Sequence, residues 1–247
     1  MPSKIKYLWW ISSVFIMIGF CYFTMQRSIN ERRVEFKKNA SKRIEQAKKK
    51  REIEEFRKKS FEKTSNELRE LVALGKLDEA VRRAEQIFSK DPNNAPALTW
   101  WGIALVKLKQ YNTALKKFEK GSQLDQSSAK NYLYWGLTLH LLKNFDEAIL
   151  KYRTALQLDP ENSNAYAYWG GSLANLENYA EAIKKLEQAL EFNSYNSIAF
   201  GVLVDAYYKT RQFDKAWESV AKARKAKVQL SKESLQRLRE AMPEPIN

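Results

Sequence analysis

Few side chains in this sequence are equipped to hold a metal or to attack a substrate: it has one histidine, His140, and one cysteine, Cys21. Zinc sites and activated nucleophiles need such residues in convergent groups, and neither has a second His or Cys beside it. Cys21 sits in an uncharged run, which rules out an intrachain disulfide and a cysteine-based metal site. No Gly-x-Gly-x-x-Gly or phosphate loop occurs, and Gly170-Gly171 belongs to a different pattern, described below. Carboxylate neighbours such as Asp146-Glu147 fall in the turn region as solvated charges. The expectation is a protein that binds, without catalytic residues, metal or cofactor. His140 then reads as a side chain lining a binding surface.

Charge is the next chemical feature. The net charge is +14, but 14 Lys/Arg against 6 Asp/Glu lie between Arg27 and Lys59. That stretch contains no aromatic residues interleaved with the charge in the manner of a nucleic-acid platform, so nucleic acid is disfavoured. No Gly or Pro interrupts residues 27–60, and helix formers dominate, which predicts a basic helical stalk. Its apolar residues, Ile29, Phe36, Ile44, Ile53 and Phe56, are too irregular for a heptad seam. Residues 7–26 carry no charge, and about 20 helical residues match a hydrocarbon core of roughly 30 Å. This predicts an N-terminal transmembrane helix serving as a signal anchor, after a short tail over 1–6. A cleaved signal would need small residues that are absent here, and Phe20 is too bulky before Cys21 for a lipoprotein signal. Arg27, Arg32, Arg33, Lys37 and Lys38 are predicted to contact anionic lipid. Their excess over Lys4 and Lys6 predicts a single-pass protein facing the cytosol, in a bacterial inner membrane or an organelle outer membrane.

The elements that must position any binding surface emerge when the chain is slid against itself. Ala80, Ala114, Ala148, Ala182 and Ala216 recur every 34 residues. Leu77, Tyr111, Phe145, Tyr179 and Phe213 form a second ladder three residues earlier. Trp101-Gly102, Trp135-Gly136 and Trp169-Gly170 form a third. Each unit divides into two amphipathic helices around a polar turn such as Lys109-Gln110 or Lys143-Asn144, and Asp91-Pro92 and Asp159-Pro160 separate units. Small residues let the helices of one hairpin approach, while aromatic residues fill the space between hairpins.

Over residues 61–230 the chain resembles the tetratricopeptide-repeat family. The resemblance is carried by Tyr132, Trp135-Gly136, Phe145, Ala148, Tyr152, Ala155 and Pro160, with Trp135 standing where the family usually has leucine. It implies an all-α fold: a right-handed superhelical stack of five hairpins, 61–94, 95–128, 129–162, 163–196 and 197–230. The end units depart from the pattern, with Glu67-Leu68 and Leu203-Val204 replacing the tryptophan-glycine pair. Ser231 is placed to cap a last helix over 231–242 that covers the open end, followed by a tail at 243–247.

The family binds partners on the concave face lined by the first helix of each unit. The matching positions are Thr99, Ile103, Val106 and Lys107; Leu133, Leu137, His140 and Leu141; Ala167, Gly171, Ala174 and Asn175; and Gly201, Asp205, Tyr208 and Lys209. Trp100, Tyr134 and Tyr168 flank them. The Lys and Asn of the carboxylate clamp, by which some members hold chaperone tails, are replaced by Thr99, Leu133, Ala167 and Gly201 and by Ile103, Leu137, Gly171 and Asp205. An apolar or amphipathic segment of a protein partner is the expected occupant. The resemblance therefore implies a membrane-anchored interaction scaffold or docking receptor, with a protein-targeting receptor or an assembly factor for membrane complexes as the alternative.

Overall fold

The computed structural model describes the backbone of residues 3–245 and the side chains of residue 10 and residues 16–245. Eleven α-helices are assigned there: α1 Ser3–Ala73, α2 Leu77–Lys90, α3 Ala95–Lys107, α4 Tyr111–Leu124, α5 Ala129–Leu141, α6 Phe145–Leu158, α7 Ser163–Asn175, α8 Tyr179–Phe192, α9 Ser197–Lys209, α10 Phe213–Lys225 and α11 Lys232–Ala241. The chain forms two units, residues 1–60 and 61–247.

In the first unit, every described side chain from residue 16 to residue 60 is exposed except Ser28 and Ala40, which are half-buried. The transmembrane expectation is corrected here. Among the described residues no helix is long and apolar enough to cross a membrane. From Ile16 the uncharged run lasts eleven residues, to Gln26, about 16 Å of helix against a hydrocarbon core of roughly 30 Å. Helix α1 then continues into Arg27 without a break. The side chains of residues 7–9 and 11–15 lie outside the described residues. The signal anchor and the single-pass membrane localisation are withdrawn with the span. The lipid-surface role expected of Arg27, Arg32, Arg33, Lys37 and Lys38 loses the support of that span; on the exposed helix face Arg27 pairs with Glu31 at 3.0 Å and Arg32 donates to Ser28 Oγ at 3.1 Å.

The second unit is an all-α stack in which the last turns of α1 and helix α2 form the first hairpin, with α3/α4, α5/α6, α7/α8 and α9/α10 following. Local chemistry starts and stops each helix at the 34-residue interval. Asn94, Ser128, Asn162 and Asn196 cap α3, α5, α7 and α9, each side chain accepting the N–H three residues on at 3.0–3.3 Å. Such a bond satisfies one of the amide donors left open at a helix start. At the turn within each hairpin, Gly75, Lys109, Lys143, Glu177 and Arg211 adopt positive φ of 56–73°. The turn is closed by paired bonds such as Gln110 N–H to Leu105 O and Lys109 N–H to Val106 O, the left-handed helix ending that glycine favours. Only the first of the five turns uses glycine.

Glycine at 102, 136 and 170 serves close approach. A Cβ at these positions would stand 2.5 Å from Phe118, 2.6 Å from Tyr152 and 2.6 Å from Leu186. The end units solve the same contact differently: in register stand Leu68 against Ala84 and Val204 against Val220, all fully or almost fully buried. Volume is conserved across each pair, so the core stays filled. Among the described residues, the backbones of neighbouring first helices approach one another (α3 with α5, α5 with α7, α7 with α9), whereas second helices meet only through side chains such as Lys120 over Phe88. The stack is therefore tighter on the first-helix side, which makes that side the concave one and opens clefts between second helices.

Candidate functional site

Side chains 32 residues apart tie neighbouring first helices together along the concave side. Thr99 Oγ1 donates to Asn131 Oδ1 at 3.1 Å, His140 Nδ1 lies 2.8 Å from Ser172 Oγ, Asn196 Nδ2 donates to Asn164 Oδ1 at 3.1 Å, and Arg237 donates to Asp205 Oδ1 at 3.0 Å. Register of 32 rather than 34 arises because each helix meets its successor about half a turn nearer its start. The capping helix α11 thus takes the place of a sixth first helix, with Trp217 Nε1 donating to Met242 O at 3.2 Å and Glu244 held by Arg224 and Arg239.

The predicted binding positions divide by depth. Thr99, Trp100, Ile103 and Val106 are buried, and Lys107 is exposed beyond them. Leu133 is buried, Tyr134, Leu137 and His140 are half-buried, and Leu141 is 43 % exposed. On α7, Ala167 and Gly171 are buried, Tyr168 and Ala174 are half-buried and Asn175 is exposed, its amide donating to Gly171 O. On α9, Gly201, Asp205 and Tyr208 are half-buried and Lys209 is exposed. Asp205 and Tyr208 are already engaged by Arg237, whose guanidinium lies 5.8 Å from the Tyr208 ring. Accessible apolar surface on this face is therefore centred on α5 and α7.

The polar groups at that centre are tuned by burial. Desolvation raises the pKa of Tyr134 and of Tyr168, the latter also through Tyr134. Tyr152 is wholly buried beneath Gly136, its ring 6.1 Å from that of Tyr168. His140 is held edge-on to Phe145 at 5.2 Å, and burial lowers its pKa. Because the folded chain binds this proton less readily than the unfolded chain, stability is full above about pH 6.5 and falls as pH drops below it. Urea unfolding between pH 7.5 and 5 should show that fall, with His140→Gln removing the part due to this residue; an identical slope in the variant would contradict the burial assigned to the ring.

A feature absent from the predicted site is a ladder of ammonium groups over indoles. Lys117 lies 3.3 Å from the Trp101 ring centroid, Lys151 3.7 Å from Trp135 and Lys185 4.4 Å from Trp169. The three lysines recur at 34 residues, a spacing that could have singled them out; their pairing with the indoles spans the hairpin and leaves no local mark. In the first hairpin the same register holds Glu67 and Arg83, which form an ion pair.

Models of the tetratricopeptide repeat match residues 66–129 and 129–162. No curated protein sequence matches the chain. Among solved structures, PilF of Pseudomonas aeruginosa is similar, with 20 % identity and a TM-score of 0.67, over 76 % of this chain and 86 % of that one. MamA (residues 41 to the end) from Desulfovibrio magneticus RS-1 is 19 % identical, with a TM-score of 0.58, over 68 % and 94 % of the two chains. YrrB, described as a TPR protein with an unusual peptide-binding site, is 21 % identical, with a TM-score of 0.55, over 72 % and 89 %. At these identities the likeness concerns the fold. The repeat models cover residues 66–162, and the hairpins that continue to Lys225 repeat the same architecture.

Proposed function

We propose that the chain is a protein-interaction scaffold whose concave face, centred on Leu137, His140 and Leu141 of α5 and on Tyr168 and Gly171 of α7, binds an apolar or amphipathic segment of a partner protein. Tetratricopeptide-repeat proteins act as protein-protein interaction scaffolds, and the fold is typically non-catalytic. The reading is carried by one observation: Leu141 is 43 % exposed beside half-buried Leu137, Tyr134 and Tyr168, on a face whose charged members, Lys107, Asp205 and Lys209, lie on α3 and α9 to either side. Buried Gly171 leaves room there; a Cβ at this position would meet only His140 Cε1 at 3.8 Å and Val202 at 4.0 Å. Each leucine-sized side chain removed from water contributes about 1.5–3 kcal/mol, so a few anchors suffice for micromolar binding.

Selection of peptides from a random displayed library against the whole chain should enrich apolar residues spaced for one helix face or one strand face. The double variant Leu137→Asp, Leu141→Asp should bind the selected peptides at least about tenfold more weakly while unfolding cooperatively as before. Peptides that bind this folded variant as tightly as the parent would remove the concave face from consideration.

A further inference from the structure

On the outer side of the stack, the ladder of lysine over indole stops one unit early. In register with Trp169 and Lys185 of the fourth hairpin stand Leu203 and Ser219 of the fifth, and in register with Phe192, which stacks on Tyr166 at 5.5 Å, stands Ala226. Three large groups are thus replaced by smaller ones at one place. The consequence is a cleft of about 780 Å³ between α8 and α10, with Leu203, Ser219 and Ala226 among its walls.

Charge has been left behind as well. Burial lowers the pKa of Lys117, and Glu85 of the first hairpin faces it closely enough to act against that shift. Three units on, the matching carboxylate is Glu187 and the matching cation has become Ser219. Glu187 instead accepts a hydrogen bond from Tyr207 Oη at 2.7 Å. Burial, that bond, and the charges of Glu187 and Glu218 all push the Tyr207 hydroxyl upward in pKa, so two carboxylates act on one end of the cleft. Of the cleft's own cations, Lys215 lies over the Tyr207 ring, at 5.8 Å, while Lys222 and Lys225 stand about two and three turns further along α10, away from Glu187 and Glu218 at the Tyr207 end.

We propose that this cleft is a docking slot for a partner segment that carries an indole with an adjacent lysine or arginine. The indole takes the place that Trp169 fills one unit earlier, against Leu203 and Phe200. The cation takes the place of the absent lysine, facing Glu187. Cation, ring and carboxylate then complete in trans the arrangement that Glu85, Lys117 and Trp101 make within the chain. The slot lies on the second-helix side and is independent of the concave face.

The test uses the whole chain and three capped peptides, Lys-Trp-Lys, Glu-Trp-Glu and Lys-Ala-Lys, titrated by calorimetry or by ligand-observed NMR. Lys-Trp-Lys should bind at least about tenfold more tightly than either of the others, a difference of about 1.4 kcal/mol. Filling the slot from within, by Leu203→Trp with Ser219→Lys, should abolish that binding and leave the melting temperature unchanged or higher. Glu187→Gln, which retains the bond to Tyr207, should reduce the preference for Lys-Trp-Lys over Glu-Trp-Glu several-fold, and this variant decides the matter if the filled one fails to fold. Equal binding of the three peptides, no binding at millimolar peptide, or full binding by the folded filled variant would overturn the proposal.

Discussion

Gly136→Ala lowers the melting temperature of the chain by roughly 2–8 °C, although alanine is the better helix former by about 1 kcal/mol. The added methyl would stand 2.6 Å from Tyr152 Cε1, 2.8 Å from Cδ1 and 3.1 Å from the carbonyl oxygen of Ala148. Tyr152 is wholly buried, so its ring has nowhere to swing, and overpacking of this kind costs about 1–3 kcal/mol. Gly201→Ala is the control of opposite sign. No atom lies within 4 Å of a Cβ there and the backbone has no positive φ, so the helical gain of about 0.5–1 kcal/mol is realised. Thermal denaturation of both variants reads the pair of signs; a rise in both would show that the hairpin is looser than Gly136 and Tyr152 require.

The same contact carries a stronger test, because the first hairpin contains its mirror image, Leu68 against Ala84. Tyr152→Ala alone opens a cavity worth about 3–5 kcal/mol, as for other large aromatic truncations, and Gly136→Leu alone drives a side chain into the ring. Combined, they rebuild the arrangement of the first hairpin, and the double variant should be more stable than the sum of the single changes by about 1–3 kcal/mol. Additive losses would mean that the two residues do not share one space.

Asn196→Ala costs about 2–3 kcal/mol, more than the loss of about 1 kcal/mol expected for Asn162→Ala. Both caps accept a backbone N–H, Asn196 from Ala199 at 3.0 Å and Asn162 from Ala165 at 3.1 Å. Asn196 is also 4 % exposed, and its amide donates to Ser163 Oγ at 2.8 Å and to Asn164 Oδ1 at 3.1 Å. Ser163 Oγ in turn donates to Ala189 O at 2.7 Å, so one side chain joins the fourth hairpin to the fifth through a buried chain of bonds. Asn162 has a single further partner, the half-buried Asp159 at 2.8 Å. Denaturant unfolding of the two variants measures the gap directly. Equal losses would reduce Asn196 to a simple cap.

These predictions rest on residues that the sequence made legible to different degrees. Periodicity placed the helices because burial is local in a hairpin stack: Ala148 or Phe145 faces its neighbour wherever the 34-residue phase puts it, and Asn94, Ser128, Asn162 and Asn196 cap helices by bonds only three residues long. The positive φ of Lys109, Lys143, Glu177 and Arg211 left no such mark, since the paired carbonyls of the preceding helix hold a backbone that glycine would adopt more readily. The predicted membrane span shows the limit of counting charges. An uncharged run satisfied that rule, whereas the described helix is not apolar for long enough.

By itself, then, the amino-acid order determined a stack of two-helix units, where each begins, and which positions must be small, because those properties follow from spacing along a single chain. Tertiary structure alone decided which large residue answers each small one, that Arg237 occupies Asp205 and Tyr208, and that the loss of Trp, Lys and Phe in the last unit opens one cleft. Those outcomes depend on how closely and at what offset helices 16 to 34 residues apart come together. That offset is set by the volumes of all the side chains between them at once, and no single stretch of sequence contains it.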